Sequence, residues 1–385
     1  MHPRKPRLPF ANAWFFPAAA LYAALLLPWS VLTMLGLVPV LPGLATPAGH
    51  AHEMLFGFAL AVIAGYLLGP QPLRLTLALL GCWLLARLGF LLWPGSWLAL
   101  LSAALFGAGL AWKVVPRFLG AAKKWRNQIV APVVAGLSLL SAVASSGFSQ
   151  PLALPLLSEA LLLIAVLLFF MGGRIIAPAL AGHAQSEGRQ LAARVQPQLE
   201  GAGLILLLLA LLFNLLPWPL LEPLVGGLLV TASVLAAIRL LRWQPWHCGN
   251  RADLLVLLLG YAWLAIGLLL FGLSRLLPAL PVTATLHALS IGALGSLTFG
   301  VMARTRLIYR FRDANARRWI HPLVLLISLA ALARVLPPLL GLEQPGWLLF
   351  AATCWSLAYL ALAILLWQSR DAHPASPRHG SADHP

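Results

Sequence analysis

Two apolar stretches of this 385-residue chain have histidine at or near their start. His50, His52 and Glu53 stand together at the start of one stretch, and His287 lies near the start of another. Ionisable side chains are costly within a membrane, so each of these residues is a candidate site residue. Imidazole is the usual protein ligand of haem iron and also binds copper well. The residue types therefore favour a haem site, a copper site or both.

The spacing of these residues limits which of them could share one metal ion. Residues two apart on a regular helix point about 200° from each other, because a turn takes about 3.6 residues. His50 and His52 therefore suit two different jobs, one toward a haem and the other toward copper or a carboxylate. His50 and Glu53 are three apart and share a helix face, so Glu53 is expected to accept a hydrogen bond that orients His50.

Two further ionisable residues lie within apolar stretches. Arg87 either extends toward the membrane surface or pairs with Glu53, Glu159 or a haem propionate. Glu159 has no short path out of the apolar phase, so it is expected to belong to the same polar site. Simpler roles remain open for the histidines: the first two could hold an interfacial loop, and His287 could be a hydrogen-bonded packing residue.

The composition indicates the environment that must position these residues. Hydrophobic residues make up 61% of the chain, charged residues only 9%, and the mean hydropathy is +0.89. A soluble domain carries roughly 25% charged residues, so this chain could not cover a water-facing surface. The net charge of +16 would suit nucleic acid in a soluble protein, but the basic residues lie in short loops between apolar stretches. The sequence predicts an integral membrane protein in contact with lipid and no nucleic-acid partner.

Twelve apolar stretches are long enough to cross a bilayer, which takes about twenty residues. The sequence therefore predicts an all-α, polytopic transmembrane bundle of about twelve helices. Their predicted bounds are Trp14–Gly36, His50–Gly69, Leu73–Trp93, Ser96–Phe118, Gln128–Gly147, Pro151–Gly173, Gly201–Pro217, Leu220–Leu241, Asp253–Leu273, Thr283–Met302, Ile320–Leu340 and Gly346–Trp367.

The basic residues are concentrated in every second loop, on one side of this bundle. With both termini in the cytoplasm, 23 of the 26 Lys and Arg residues fall on the cytoplasmic side, as the positive-inside rule requires. Only Arg275 and Arg334 fall on the opposite side, and Arg87 lies within a helix. This topology places His50, His52, His287 and Arg87 near the outer surface, with Glu159 somewhat deeper. These five residues are here called the predicted outer layer.

The chain divides into a basic cytoplasmic N-terminus (residues 1–13), a transmembrane domain (14–370) and a disordered cytoplasmic tail (371–385). No internal repeat is visible. The longest predicted loop is Arg174–Glu200, and the polar and charged composition of this loop leaves open whether it is ordered.

Two long motifs resemble the NnrS family. The first is His50-Ala-His-Glu-Met-Leu-Phe-Gly-Phe-Ala-Leu-Ala-Val-Ile-Ala-Gly65, and the second is His287-Ala-Leu-Ser-Ile-Gly-Ala-Leu-Gly-Ser-Leu-Thr-Phe-Gly-Val-Met-Ala-Arg304. Weaker matches are Trp125-Arg126-Asn127 and Gly172-Gly173-Arg174. The motifs follow the family's order along a twelve-helix chain, so the resemblance covers nearly all of it.

The resemblance implies a multi-pass protein of the bacterial cytoplasmic (inner) membrane that carries haem and copper and eases nitrosative stress. Carried over to this chain, the motif histidines are His50, His52 and His287. Some motif positions differ: Gly49 replaces the Trp usual before the first histidine, and Gly69-Pro70-Gln71-Pro72 replaces a turn like Asn-Trp-Thr-Gly. Ile308-Tyr309-Arg310-Phe311 stands where relatives often show Gly-His-Thr-Gly, so this member could hold fewer cofactors.

The leading hypothesis is a haem- and copper-binding protein that protects against or responds to nitric oxide or metal nitrosyls. In it, His52 and His287 reach a haem near Arg87, while His50 and Glu53 lie at copper or support a ligand. A conventional enzyme is not expected: a nitric-oxide reductase needs three histidines for a second metal beside a bis-histidine haem. The alternatives are a transporter for a metal or small solute, gated by the polar layer, and a purely structural membrane subunit.

Overall fold

The twelve predicted membrane helices are confirmed by a computed structural model, which describes residues 8–121, 125–146 and 153–369. The described residues form an all-helical bundle. Its helices are α1 Asn12–Met34, α2 Pro47–Leu67, α3 Leu73–Leu92, α4 Trp97–Gly120, α5 Trp125–Ser145, α6 Leu154–Ser186, α7 Pro197–Asn214, α8 Pro219–Arg242, α9 Ala252–Leu276, α10 Val282–Phe311, α11 Arg318–Leu340 and α12 Pro345–Gln368.

The largest boundary difference concerns α6, which continues thirteen residues beyond the predicted end at Gly173. A π-helical turn at Gly172–Ile176 carries the chain past the two glycines, and Ala177–Ser186 returns to α-helix. The predicted loop 174–200 is therefore helical over its first half. Residues 1–7 of the predicted basic N-terminus lie outside the described residues. The predicted tail, 371–385, lies wholly outside them.

Helices α2 and α10 lie at the centre of the bundle, and most of their residues are buried. Helix α6 packs against both of them, α1 packs on α2, and α9 packs on α10. The two motifs that resemble the NnrS family are therefore carried by the two central helices.

Both central helices change their winding immediately after a histidine. In α2 a short α-helix, Pro47–His52, leads into a π-helix at Glu53–Ala59. In α10 the α-helix Val282–His287 leads into a π-helix at Ala288–Gly295. π-helical segments are rare and often lie at functional sites.

The two helices also share a spacing of residues, although the sequence analysis predicts no internal repeat. Counting from the histidine before each π-helix, glycines follow five and thirteen residues later: His52, Gly57 and Gly65 in α2, and His287, Gly292 and Gly300 in α10. Only these positions match, which is too weak a signal to identify from sequence without the shared winding.

The matched glycines allow the preceding helix to approach closely. A Cβ atom on Gly57 would lie 2.6 Å from the Tyr22 ring of α1, and a Cβ atom on Gly292 would lie 2.6 Å from the Trp263 ring of α9. The indole N–H of Trp263 donates to the Ser328 hydroxyl at 3.0 Å, which holds the ring in place. Small residues at such contacts let membrane helices pack backbone to side chain.

We therefore expect Gly292→Ala to destabilise the protein by about 1–3 kcal/mol, because the Trp263 ring must move to admit the methyl group. Thermal unfolding in detergent measures the effect. The matched control is Gly227→Ala in α8, where an added Cβ meets no atom within 4 Å and alanine favours the helix. Equal melting temperatures for the two variants would show that the α9–α10 contact is not tight.

Candidate functional site

Four polar side chains form a buried cluster near the start of α2, here called the Glu53 cluster: Tyr22, His52, Glu53 and Arg87. Arg87 donates to Glu53 Oε1 at 2.6 Å, and His52 Nδ1 lies 2.9 Å from the same oxygen. Tyr22 donates to Glu53 Oε2. Glu53 is 0% exposed and Arg87 1% exposed, so the ion pair is shielded from solvent.

The local backbone makes room for this cluster. A Cβ atom on Gly57 would lie 3.1 Å from Arg87 Cδ and 3.2 Å from Glu53 Oε2, as well as against Tyr22. The indole N–H of Trp83 donates to the Gly57 carbonyl at 2.9 Å. That bond gives a partner to a backbone oxygen in the π-helix, where the regular α-helical bonding pattern is interrupted.

Both ring nitrogens of His52 are occupied by protein groups. Nδ1 faces Glu53, and Nε2 lies 3.2 Å from Ser145 Oγ in α5. The ring is stacked on Phe90, with centroids 3.6 Å apart and an angle of 9° between the planes. A metal could bind His52 only after one of these hydrogen bonds is broken.

His50 points to a different neighbour from His52, as the two-residue spacing predicts. Its Nδ1 lies 2.9 Å from the hydroxyl of Ser30 in α1. The side chain is partly exposed, and within the described part of the chain no hydrogen bond involves its Nε2. Nε2 is therefore the nitrogen of His50 that is available to a ligand.

His287 has the same arrangement of one bound and one unbound nitrogen. Its Nδ1 lies 2.5 Å from the carbonyl oxygen of Thr283, one turn earlier in α10. A carbonyl only accepts hydrogen bonds, so Nδ1 carries the proton and Nε2 keeps its lone pair. No described residue bonds to that Nε2, and the side chain is partly exposed.

His287 lies within electrostatic range of His50, and both lie within electrostatic range of Arg334 in α11. These three residues are here called the His50–His287 site. They bring together α2, α10 and α11. The site pairs two imidazoles in a metal-binding tautomer, or free to adopt one, with a nearby guanidinium.

The structure thus divides the residues of the predicted outer layer. His50 and His287 lie within electrostatic range of each other, whereas His52 belongs to the Glu53 cluster with Arg87. Glu53 does not orient His50 in the way that the sequence analysis expects: it bonds to His52, while the Nδ1 of His50 bonds to Ser30. Glu159 lies elsewhere: it accepts a hydrogen bond from Asn214 of α7 and interacts electrostatically with Arg275.

Several residues of the two sites are absent from the sequence prediction. Tyr22, Ser30 and Ser145 have ordinary types in apolar helices, and nothing in their spacing marks them. Arg334 does carry a signal, since it is one of two basic residues on the predicted outer side. That exception to the charge rule is consistent with a specific role.

A metal centre with three or more protein ligands is not formed by the residues that the structure describes. Two imidazoles alone suit the two axial positions of a haem, whose other four ligands come from the porphyrin. They also suit a two-coordinate soft ion such as Cu(I).

Residues 9–369 match a family model described as "NnrS protein". No curated protein gives a significant match to the chain.

The Glu53 cluster predicts a large cost for removing one charge. Arg87→Gln leaves a buried carboxylate without its cation and is expected to destabilise the protein by about 3–5 kcal/mol, measured by thermal unfolding in detergent. Arg275→Gln is the control, since its partner Glu222 is about half exposed, and it should cost about 1 kcal/mol or less.

A second variant separates charge from packing. Arg87→Met combined with Glu53→Gln should lose less stability than Arg87→Gln alone, because no unpaired charge remains. If Arg87→Gln costs no more than Arg275→Gln, the buried ion pair does not hold α3 against α2.

Proposed function

This chain belongs to the NnrS family, and we propose that it binds haem in the bacterial inner membrane and acts in the response to nitric oxide. Family membership supports a nitric-oxide-response membrane protein, and the twelve helices support a multi-pass one. The observation that carries the haem proposal is the hydrogen bonding of His50 and His287, whose Nδ1 atoms each have a partner and whose Nε2 atoms have none among the described residues, at positions within electrostatic range of each other.

The hydrogen bond on Nδ1 is what prepares each imidazole as a ligand. Metal-binding histidines usually donate through the second nitrogen to a carboxylate, a backbone carbonyl or water, which fixes the tautomer and the ring orientation. The Thr283 carbonyl does this for His287, and the Ser30 hydroxyl orients the ring of His50 in either tautomer. Each ring is therefore held by a partner within the bundle before a cofactor arrives.

Arg334 adds the charge that a haem requires. Haem carries two propionates, and a guanidinium binds carboxylates well through its fixed fork of donors. Arg334 interacts electrostatically with both histidines and with Glu343. In the proposal its role is to bind a propionate, which is one of the roles that the sequence analysis leaves open for Arg87.

The proposal gives His52 a positioning role. Its nitrogens are bound to Glu53 and Ser145, and this network anchors the first turn of α2, which carries His50. Arg87 and Tyr22 complete the network, so the Glu53 cluster would hold His50 in position through the backbone of α2. The proposed haem pair is therefore His50 and His287, in place of His52 and His287.

The described part of the chain holds no separate set of copper ligands, since no three candidate ligands lie together there. Cu(I) could instead occupy the His50–His287 site, with Met54 one turn after His50 as a softer donor. Haem and copper are therefore rival occupants of one pair of imidazoles in this proposal.

The ligand pair also bears on the kind of chemistry. When bound, haem iron supplies a redox-active centre with affinity for nitric oxide. His50 and His287 would both hold that one haem, and no group of three further metal ligands accompanies them among the described residues. The arrangement favours sensing or electron transfer over nitric-oxide reduction, and the proposal makes nitric oxide or a metal nitrosyl the molecule to which the protein responds.

The proposal predicts that His50→Ala and His287→Ala each remove the Soret band of the purified protein. Haem content per protein, measured by the pyridine haemochrome assay, should fall about tenfold or more. Ser30→Ala should weaken haem retention by roughly 10–100-fold in affinity, the usual effect of losing a bond that orients a ligand.

His183→Ala is the matched control, because His183 bonds to the His247 carbonyl in another part of the bundle. It should keep full haem content. The proposal is wrong if His50→Ala and His287→Ala stay red. A colourless wild type with substrate-dependent uptake into vesicles would favour the transporter, and copper in place of haem would identify the rival occupant.

A further inference from the structure

Two motif segments without a role in haem binding meet at a third polar cluster. Trp125-Arg126-Asn127 begins α5, and Gly172-Gly173-Arg174 forms the π-helical turn of α6. We infer that Arg126, Arg174, Glu200 and Arg239, here called the Glu200 site, bind a phosphate-type oxyanion. This site lies apart from the His50–His287 site, and anion binding there would not depend on haem.

Three guanidinium groups converge on one carboxylate. Glu200 Oε1 lies 3.0 Å from Arg174 Nη2 and 4.0 Å from Arg126 Nε, and Glu200 Oε2 lies 3.1 Å from Arg239 Nη2. The four residues come from α5, α6, α7 and α8. The cluster therefore ties four helices together at one end of the bundle.

The charges of this cluster do not balance. Three cations face a single anion, and no second carboxylate lies within 4.0 Å of these arginines among the described residues. Glu200 and Arg239 are buried, and Arg126 is only 12% exposed. Uncompensated charge in a low-dielectric interior is costly, so an excess of two positive charges favours a bound anion.

Buried hydrogen-bond donors at the same place lack acceptors. Arg239 donates to the Phe169 carbonyl and the Tyr261 hydroxyl, at 2.8 Å and 3.2 Å, but its Nε has no partner. The guanidinium lies 5.2 Å from the ring centroid of Trp243, whose Nε1 also has no partner. Buried polar atoms are rarely left unpaired, so each such atom needs an explanation.

An unpaired acceptor accompanies these donors. Gln196 donates to the backbone carbonyl of Arg239 at 3.4 Å, while its side-chain oxygen Oε1 is buried without a donor. A hydrogen phosphate group, or an oxyanion with one water, presents acceptors and a donor together. Unpaired atoms of both kinds are therefore found on Arg239 and on two residues beside it.

The backbone keeps the cluster close and open on one side. A Cβ atom on Gly173 would lie 2.1 Å from Arg239 Nη2, so a larger residue would push the guanidinium away. Arg174 is 37% exposed and donates to Asn127 Oδ1 at 2.5 Å. An anion could therefore approach along Arg174 and Arg126, whose forked donors suit phosphate oxygens.

Two sources could supply this oxyanion: a phospholipid headgroup or free phosphate. Basic pockets between membrane helices bind anionic headgroups, and Trp125 is half exposed beside Arg126, as tryptophans at a membrane surface are. The shared chemistry is a phosphate group held by guanidinium.

The test uses the purified full-length chain in neutral detergent. Thermal stability is measured against inorganic phosphate, with sodium chloride at matched ionic strength as the salt control. In a second arm, native mass spectrometry measures retention of phosphatidylglycerol against phosphatidylcholine. We expect a saturable rise in melting temperature with phosphate, preferential retention of phosphatidylglycerol, or both.

Arg174→Gln should weaken that binding about tenfold, the loss expected for one charge-assisted hydrogen bond. Arg189→Gln is the control, since Arg189 is partly exposed and pairs with Glu187 instead. If Arg174→Gln does not fold, Arg126→Gln takes its place.

A response to phosphate alone assigns the site to free phosphate, and selective lipid retention alone assigns it to a headgroup; either supports the inference. The inference is overturned if neither probe binds the wild type, or if Arg174→Gln and Arg189→Gln bind as the wild type does. In that case buried water satisfies the unpaired atoms.

Discussion

Three carboxylates inside this apolar bundle each pair with an arginine of another helix, and these ion pairs constrain the packing of the protein. Glu53 pairs with Arg87, Glu200 with Arg239, and Asp253 with Arg304. Each of these acids is buried, and each pair joins two different helices. Breaking one pair would leave a charge that the lipid phase cannot solvate, so the ion pairs determine which helices must be neighbours.

Irregular winding is the second device, and it lies beside the polar clusters. Glu53 is the first residue of the π-helix in α2, Arg174 lies within the π-helical turn of α6, and His287 directly precedes the π-helix in α10. Such a segment turns side chains through an angle that a regular helix does not allow. Glycines within or near these segments let neighbouring rings and guanidinium groups approach the backbone.

Much of the architecture follows from the sequence, because length and hydropathy alone determine which segments can cross a bilayer. The pairing of Arg87 with Glu53 is one of the alternatives that the sequence leaves open, since a buried cation needs an anion but Glu159 or a propionate would also supply one. The proposed pairing of His50 with His287 does not follow from the sequence, because it depends on hydrogen bonds to Ser30 and Thr283 that no residue pattern marks. The end of α6 is missed because two adjacent glycines predict a stop, whereas a π-helical turn carries the helix through them.

Near-infrared magnetic circular dichroism of the ferric protein tests the pairing of His50 with His287 most directly, because its charge-transfer band distinguishes pairs of axial ligands. The wild type should show the band of two imidazoles. Replacing His50 by Met should move the band to that of an imidazole and a thioether, while replacing His52 by Met should leave it in place. The pairing would be contradicted if His52→Met changed the band and His50→Met did not.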